Sequence, residues 1–318
     1  MRVLLVVDGS SHSDMATKMV ETLQLPPQTK VIAMTVIPEY TFLGGITLGS
    51  LIGAGQTREK LQDTQQEKAL ALLQRTEQAL STTRLKVDSL VRWGNPAEVI
   101  LSVANEENIS LVIIGAKGLS DPLSFHLGSV ATAVSKHANT SVLLVRQTTS
   151  ISKQVSSCQK KAAINRVLLA TDGSKYSDMT TQFLLDLPLP QHTEVIVITA
   201  LQSHRAAWIN TPTLDFRINQ ELLASLQEAE ENEASKITAK SEKQFQTKGY
   251  KTTSAVLRGG AAESILAAAK EHKPDIIAMG SRGLSGIEPI LLGSVAERVA
   301  RYADYPVLIG RLPGKIRE

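Results

Sequence analysis

Gly280-Ser281-Arg282-Gly283, nine further residues and then Gly293-Ser294 read as the end of a strand, a flexible loop and the start of a helix. Ahead of the loop, Ile276-Ile277-Ala278-Met279 is apolar without alternation, as expected of a strand buried on both faces. The first half repeats the pattern: Leu111-Val112-Ile113-Ile114, then Gly115-Ala116-Lys117-Gly118, nine residues, and Gly128-Ser129. Glycines permit positive φ and close approach of a ligand, so successive amides of such a loop can converge on one phosphate. The helix start adds unbonded amides and the positive end of its dipole, and the Ser hydroxyl is a further donor. The plainer alternative is a tight turn with Ser as a helix cap; two copies with the same internal spacing favour the anion reading. Neither G-x-x-x-x-G-K-[ST] nor a complete G-x-G-x-x-G is present.

Working outward from the loops, Val3 to Val7 ends in Asp8-Gly9-Ser10, and Val167 to Ala170 ends in Thr171-Asp172-Gly173-Ser174. The copies are nearly collinear, offset by 164 residues at Asp8 and Asp172 and by 165 at Gly115 and Gly280 and at Gly128 and Gly293. After each Asp comes an amphipathic helix, ending before Pro26 or near Pro188, and a second strand at 30–36 or 194–200. Long polar helices follow at about 58–80 and 215–245, then strands at 85–91 and 252–257. Helices after Gly94 and Gly260 lead into the loop-bearing strands, and fifth strands close the halves at 141–145 and 306–309. Five strands alternating with four helices imply a parallel α/β sheet with right-handed crossovers and helices on both faces. The expected division is a domain at 1–147, a polar linker at 148–163 and a second, similar domain at 164–318. The glycine-rich piece from Gly44 to Gly55 reads as a mobile flap or a surface loop; 203–214, with Trp208 and Pro212, stands in its place in the second half.

With 318 residues, the chain has room for two cores. Its net charge of +3 gives no case for nucleic acid or an anionic membrane as the main partner. Cys158 is the single cysteine, which excludes an internal disulfide and a cysteine metal site and suits the cytoplasm. The apolar run at the start is too short for a secretory signal, and nothing approaches the ~18–20 apolar residues that span a bilayer. His12, His126, His137, His192, His204 and His272 have no metal-ligand spacing. His12 corresponds to Tyr176, so a mechanism shared by the halves cannot depend on it.

In open α/β sheets ligands bind beyond the carboxyl ends of the strands, where the strand order reverses. With strands one and four adjacent there, Asp8 faces the Gly115 loop and Asp172 the Gly280 loop. A carboxylate beside a phosphate cradle suits ribose hydroxyls, which points to a nucleotide across the crevice; the alternative for each Asp is the N-cap of the following helix. Arg282 or Lys117 either assists a phosphate or is simply solvated.

Gly-x2-Gly-x9-Gly-Ser after a strand, behind Val-Asp-Gly-Ser or Thr-Asp-Gly-Ser, resembles the nucleotide-binding signature of the universal stress protein family, and the chain is similar to its tandem members. The resemblance implies a five-stranded parallel sheet of order 3-2-1-4-5 in each domain, with ATP at the switch point and magnesium or manganese as companion ion. By position it implies Asp8 and Asp172 beside the nucleoside and the backbones of Val36 and Ala200 against adenine. Ribose and phosphates would fall to Gly115, Gly118, Gly128, Ser129 and Val130, and to Gly280, Gly283, Gly293, Ser294 and Val295. Gly-Ser-Arg-Gly matches the family loop more closely than Gly-Ala-Lys-Gly, so the second site is expected to bind more reliably.

The expected function is an ATP-binding stress-response or signalling protein whose occupancy sets a surface for an unidentified protein partner, without a catalytic set. The alternatives are a slow ATP-hydrolysing or nucleotidyl-transferring enzyme and a nucleotide-free scaffold. Apolar fifth strands predict that the halves meet through them, as an intramolecular pseudo-dimer with homodimerisation left open.

Overall fold

The computed structural model describes residues 1–26, 28–39, 55–119, 127–146, 163–201, 216–284 and 292–311. The expected flap apart from Gly55, its counterpart at 203–214, the expected linker apart from Ala163, and Cys158, His126 and His204 lie outside the described residues.

The first half runs β1 (Arg2–Val6), α1 (Ser11–Thr22), β2 (Lys30–Ile37), α2 (Gly55–Leu80), β3 (Lys86–Trp93), α3 (Pro96–Glu106), β4 (Leu111–Gly115), α4 (Ser129–His137) and β5 (Ser141–Val145). The second runs β6 (Arg166–Ala170), α5 (Lys175–Asp186), β7 (Glu194–Leu201), α6 (Phe216–Thr247), β8 (Lys251–Arg258), α7 (Ala261–His272), β9 (Ile276–Gly280), α8 (Ser294–Tyr302) and β10 (Val307–Gly310). β3 and β8 extend beyond the apolar stretches that announced them, because backbone pairing with β2 and β7 continues to Ile37 with Trp93 and Leu201 with Arg258 whatever the side chain.

All ten strands form one sheet of order β3-β2-β1-β4-β5-β10-β9-β6-β7-β8. Each half is thus 3-2-1-4-5, and β5 and β10 join antiparallel, Leu143 opposite Leu308 and Leu144 opposite Val307. Alternation along the strands sends their side chains to opposite faces. On one face Val3, Leu5, Leu143 and Leu308 pack with Met19 of α1, with Leu23 at its C-cap and with Phe245 of α6. On the other, Leu4, Val142, Leu144 and Ile309 pack with Ile100 of α3, Val134 of α4 and Val299 of α8. Both cores run through the seam between the halves, where burying Leu143 or Leu308 contributes about 2 kcal/mol each. The outer strands β3 and β8 are half-exposed and carry Lys86 and Lys251, which blunts the sheet edges. No helix among the described residues is long and apolar enough to cross a membrane.

Candidate nucleotide-binding clefts

In each half the chain order reverses between the first and fourth strands, and the Asp-Gly-Ser turn stands at that point. Asp8 Oδ1 accepts from the Ser10 amide at 2.9 Å, and Asp172 Oδ1 from the Ser174 amide at 3.0 Å. Between them Gly9 and Gly173 take φ of 79° and 75°, which an L side chain rarely adopts. The N-caps of α1 and α5 are Ser10 and Ser174, whose hydroxyls accept from Ser13 and Ser177. The N-cap alternative for the aspartates is therefore corrected: each closes a turn one step earlier, and the serine two residues on does the capping.

The aspartates also reach the loop. Leu284 donates its amide to Asp172 Oδ2 at 3.2 Å, and the Ser10 and Ser174 hydroxyls donate to the carbonyls of Lys117 and Arg282 at 3.2 and 3.3 Å. The loop is closed from the other side as well, Gly128 N donating to Ala116 O and Gly293 N to Ser281 O, both at 2.8 Å. The strand end, the loop and the start of the next helix are thus locked together in both halves.

The six loop glycines do not use positive φ, contrary to the first expectation; what Gly115, Gly118, Gly280 and Gly283 need is room. A Cβ on Gly115 would lie 2.9 Å from the His12 carbonyl carbon, and one on Gly280 2.8 Å from Ser177 N, because α1 and α5 start directly over the strand ends. A Cβ on Gly118 or Gly283 would meet the carboxylate of Asp8 or Asp172 at 2.8 or 2.7 Å. At Gly128 and Gly293 the nearest atoms stand 3.4 Å away, ordinary contact, so glycine there keeps the helix mouth open. Their own amides are already engaged, so the unbonded donors at the helix mouth are those of the first helical turn, among them Ser129 and Val130 and Ser294 and Val295.

In the second half these elements enclose a cleft of about 270 Å³. Asp172, Gly280 and Gly283 line it together with Gly293, Ser294 and Val295. Ala200, near the end of β7, contributes to its apolar lining with Ala170, Ala261, Ile265 and Met279. That apolar lining was not foreseen except at Ala200; the small residue Ala261 after Gly259-Gly260 was its trace in the sequence. The first half holds Asp8, Gly115, Gly118 and Gly128 in the same mutual arrangement, with Val36 and Val130 half-buried against the core below.

The basic residues diverge. Arg282 lies over the Tyr176 ring, 5.3 Å from its centroid, and its Nη1 donates to the Tyr176 hydroxyl at 3.0 Å, so it is not freely solvated, and it contributes to the lining of the second cleft. At the equivalent place His12 is half-buried, and its pKa is lowered by burial first and then by the charges of Lys117 and Arg146. Among the described residues no group of three or more His, Cys, Asp or Glu is placed to hold a metal ion.

The family model of the universal stress protein family matches this chain twice, over residues 1–146 and 163–311. A universal stress protein of Methanocaldococcus jannaschii is 33% identical over 150 residues, covering 47% of this chain and 84% of its own. One from Mycobacterium tuberculosis is 24% identical over 207 residues, covering 63% of this chain and 61% of its own. A solved universal stress protein from Archaeoglobus fulgidus aligns with 98% of this chain and 96% of its own at a TM-score of 0.59 and 21% identity, a shared fold. With the family region present in each half, the chain belongs to the universal stress protein family.

Proposed function

We propose that the protein is an adenine-nucleotide-binding stress-response switch with one ATP site in each half, acting in the cytoplasm. The observation that carries this reading is the second-half cleft, where an apolar floor of Ile265, Met279 and Ala200 adjoins the unbonded amides of Ser294 and Val295. A flat purine suits the floor, and phosphates suit amides at a helix start. Asp172 also lines the cleft, where ribose hydroxyls would find an acceptor. Asp8, Val36, Gly115, Gly118, Gly128, Ser129 and Val130 would take the same roles in the first half. Asp172 Oδ2 is already bonded to the Leu284 amide, so magnesium or manganese would arrive on the nucleotide phosphates rather than in a carboxylate nest. Occupancy would fix the loop and with it the surface offered to a protein partner.

The test is calorimetric titration of magnesium ATP into the wild type, Gly118→Val and Gly283→Val, with circular dichroism to verify folding. In each variant the new side chain drives the aspartate out of the loop. Two sites per chain are expected in the wild type and one in each variant. A folded wild type that takes up no ATP refutes the proposal.

A further inference from the structure

Two arginines cross the seam between the halves. Arg146 follows β5 directly, and its Nη2 donates to the carbonyls of Ala300 at 2.6 Å and Arg301 at 3.0 Å, the last turn of α8 in the other half. Arg311 follows β10 directly, and its guanidinium donates to the carbonyls of Ser135, Lys136 and Ala138, at the end of α4. Ser135 and Lys136 are the counterparts of Ala300 and Arg301 at the same offset of 165 residues, which also relates Arg146 to Arg311. Both arginines are buried, 8% exposed. Each therefore satisfies carbonyls that a helix end leaves without intrahelical partners, and places a cation at the negative end of the dipole.

α4 and α8 are the helices whose first turns face the proposed phosphate positions. With nine residues, each spans roughly 14 Å. The opposite end of each helix is thus held by the other half, and the residue that holds it stands beside the other half's own site. Arg311 and Arg282, which lines the second cleft, repel one another; burial first and that charge second bring the Arg311 pKa down to about 10. Val145, the residue before Arg146, accepts the amide of Ala116 in its own loop at 2.8 Å, and Gly310, the residue before Arg311, accepts the amide of Ser281 at 2.9 Å. A ligand that fixes either loop therefore also fixes the backbone position from which the following arginine reaches the helix of the other half.

The geometry points to Arg146 and Arg311 as positioning residues that couple the two sites positively, each transmitting occupancy of its own half to the phosphate-facing helix of the other. The coupling rests on the nucleotide reading above. By linkage it is reciprocal, and coupling between sites is commonly about 5–150-fold in affinity.

The experiment reads amide hydrogen exchange along α4 by mass spectrometry in Gly118→Val, in which ATP can enter the second site alone, with and without magnesium ATP. Exchange across 129–137 is expected to slow several-fold on ATP addition, although the nucleotide sits in the other half. In Gly118→Val with Arg311→Met, calorimetry should still detect ATP while the slowing disappears, and Arg311→Lys should restore it in part. A purely structural cap changes basal exchange but leaves no response to ATP. ATP uptake with unchanged exchange in α4, or a response that persists without Arg311, overturns the coupling alone. No ATP uptake in the folded wild type overturns the proposed function, and the coupling with it.

Discussion

The first half ends its last strand with Val145 and carries Ala16 on α1, whereas the second ends with Gly310 and carries Thr180 at the equivalent position of α5. A Cβ on Gly310 would lie 2.8 Å from Thr180 Cβ, so helix and strand in the second half meet only because the strand residue has no side chain. Bulk has moved from strand to helix. Charge has moved too: Lys30 pairs with Asp88 at 2.7 Å in the first half, while Glu194 pairs with Arg166 and Lys251, both at 3.0 Å, in the second. Beside the loop, His12 stands opposite Tyr176 and Lys117 opposite Arg282. Against these exchanges Asp-Gly-Ser and the loop glycines are the same in both halves, with matching hydrogen bonds. Packing tolerates compensated exchange, whereas the turn and loop depend on particular backbone positions that leave no substitute.

The sharpest way to break the comparison is to impose the first half's strand residue on the second. Gly310→Val should cost about 3 kcal/mol by overpacking, read from urea unfolding, and adding Thr180→Ala should recover most of that loss. Additive losses in the double variant would show that the two positions do not compensate.

A smaller effect distinguishes His12 from Tyr176. The folded-state pKa of His12 is depressed, so its contribution to stability is complete above the unfolded value of 6.5 and is lost as pH falls from there through the folded value. Thermal unfolding from pH 7.5 to 5 should therefore show a loss in the wild type that is reduced in His12→Tyr. An identical pH profile in the variant would remove His12 from the account.

The smallest effect concerns the exchanged ion pairs. Glu194→Gln should cost about 0.5 kcal/mol, since its partners are largely solvated. Its pKa is lowered by hydrogen bonds from Lys251 and Arg166, so the wild-type contribution holds above the ordinary carboxylate range and fades on acidification below it. The same decline on acidification in Glu194→Gln as in the wild type would assign it to other carboxylates.

Strands such as Leu111 to Gly115 and Ile276 to Gly280 were legible because a strand buried on both faces needs an unbroken apolar run. The parallel sheet followed from the alternation of strands and helices, its order and switch point from the family resemblance, and the loop candidates from spacing repeated at a nearly constant offset. The reason for the loop glycines was not legible, because crowding by His12 or by the Asp8 carboxylate arises only once α1 is laid over β4. Gly9 and Gly173, which do take positive φ, lie in the quoted Asp-Gly-Ser motif. Tyr176 offered no local sign that it would hold Arg282, 106 residues away.

Local chemistry fixed the elements: apolar runs made strands, serine and glycine marked helix starts, and two copies of the pattern gave two halves. Those properties depend on residues within a few positions of one another, so they survive in a linear reading. The seam and the crossed arginines depend on chain folding, which brings Arg146 to Ala300 across 154 positions and Arg311 to Ser135 across 176. An arginine after a strand looks the same whether it faces water or a helix end, and only the antiparallel meeting of β5 with β10 places both guanidiniums on the opposite half.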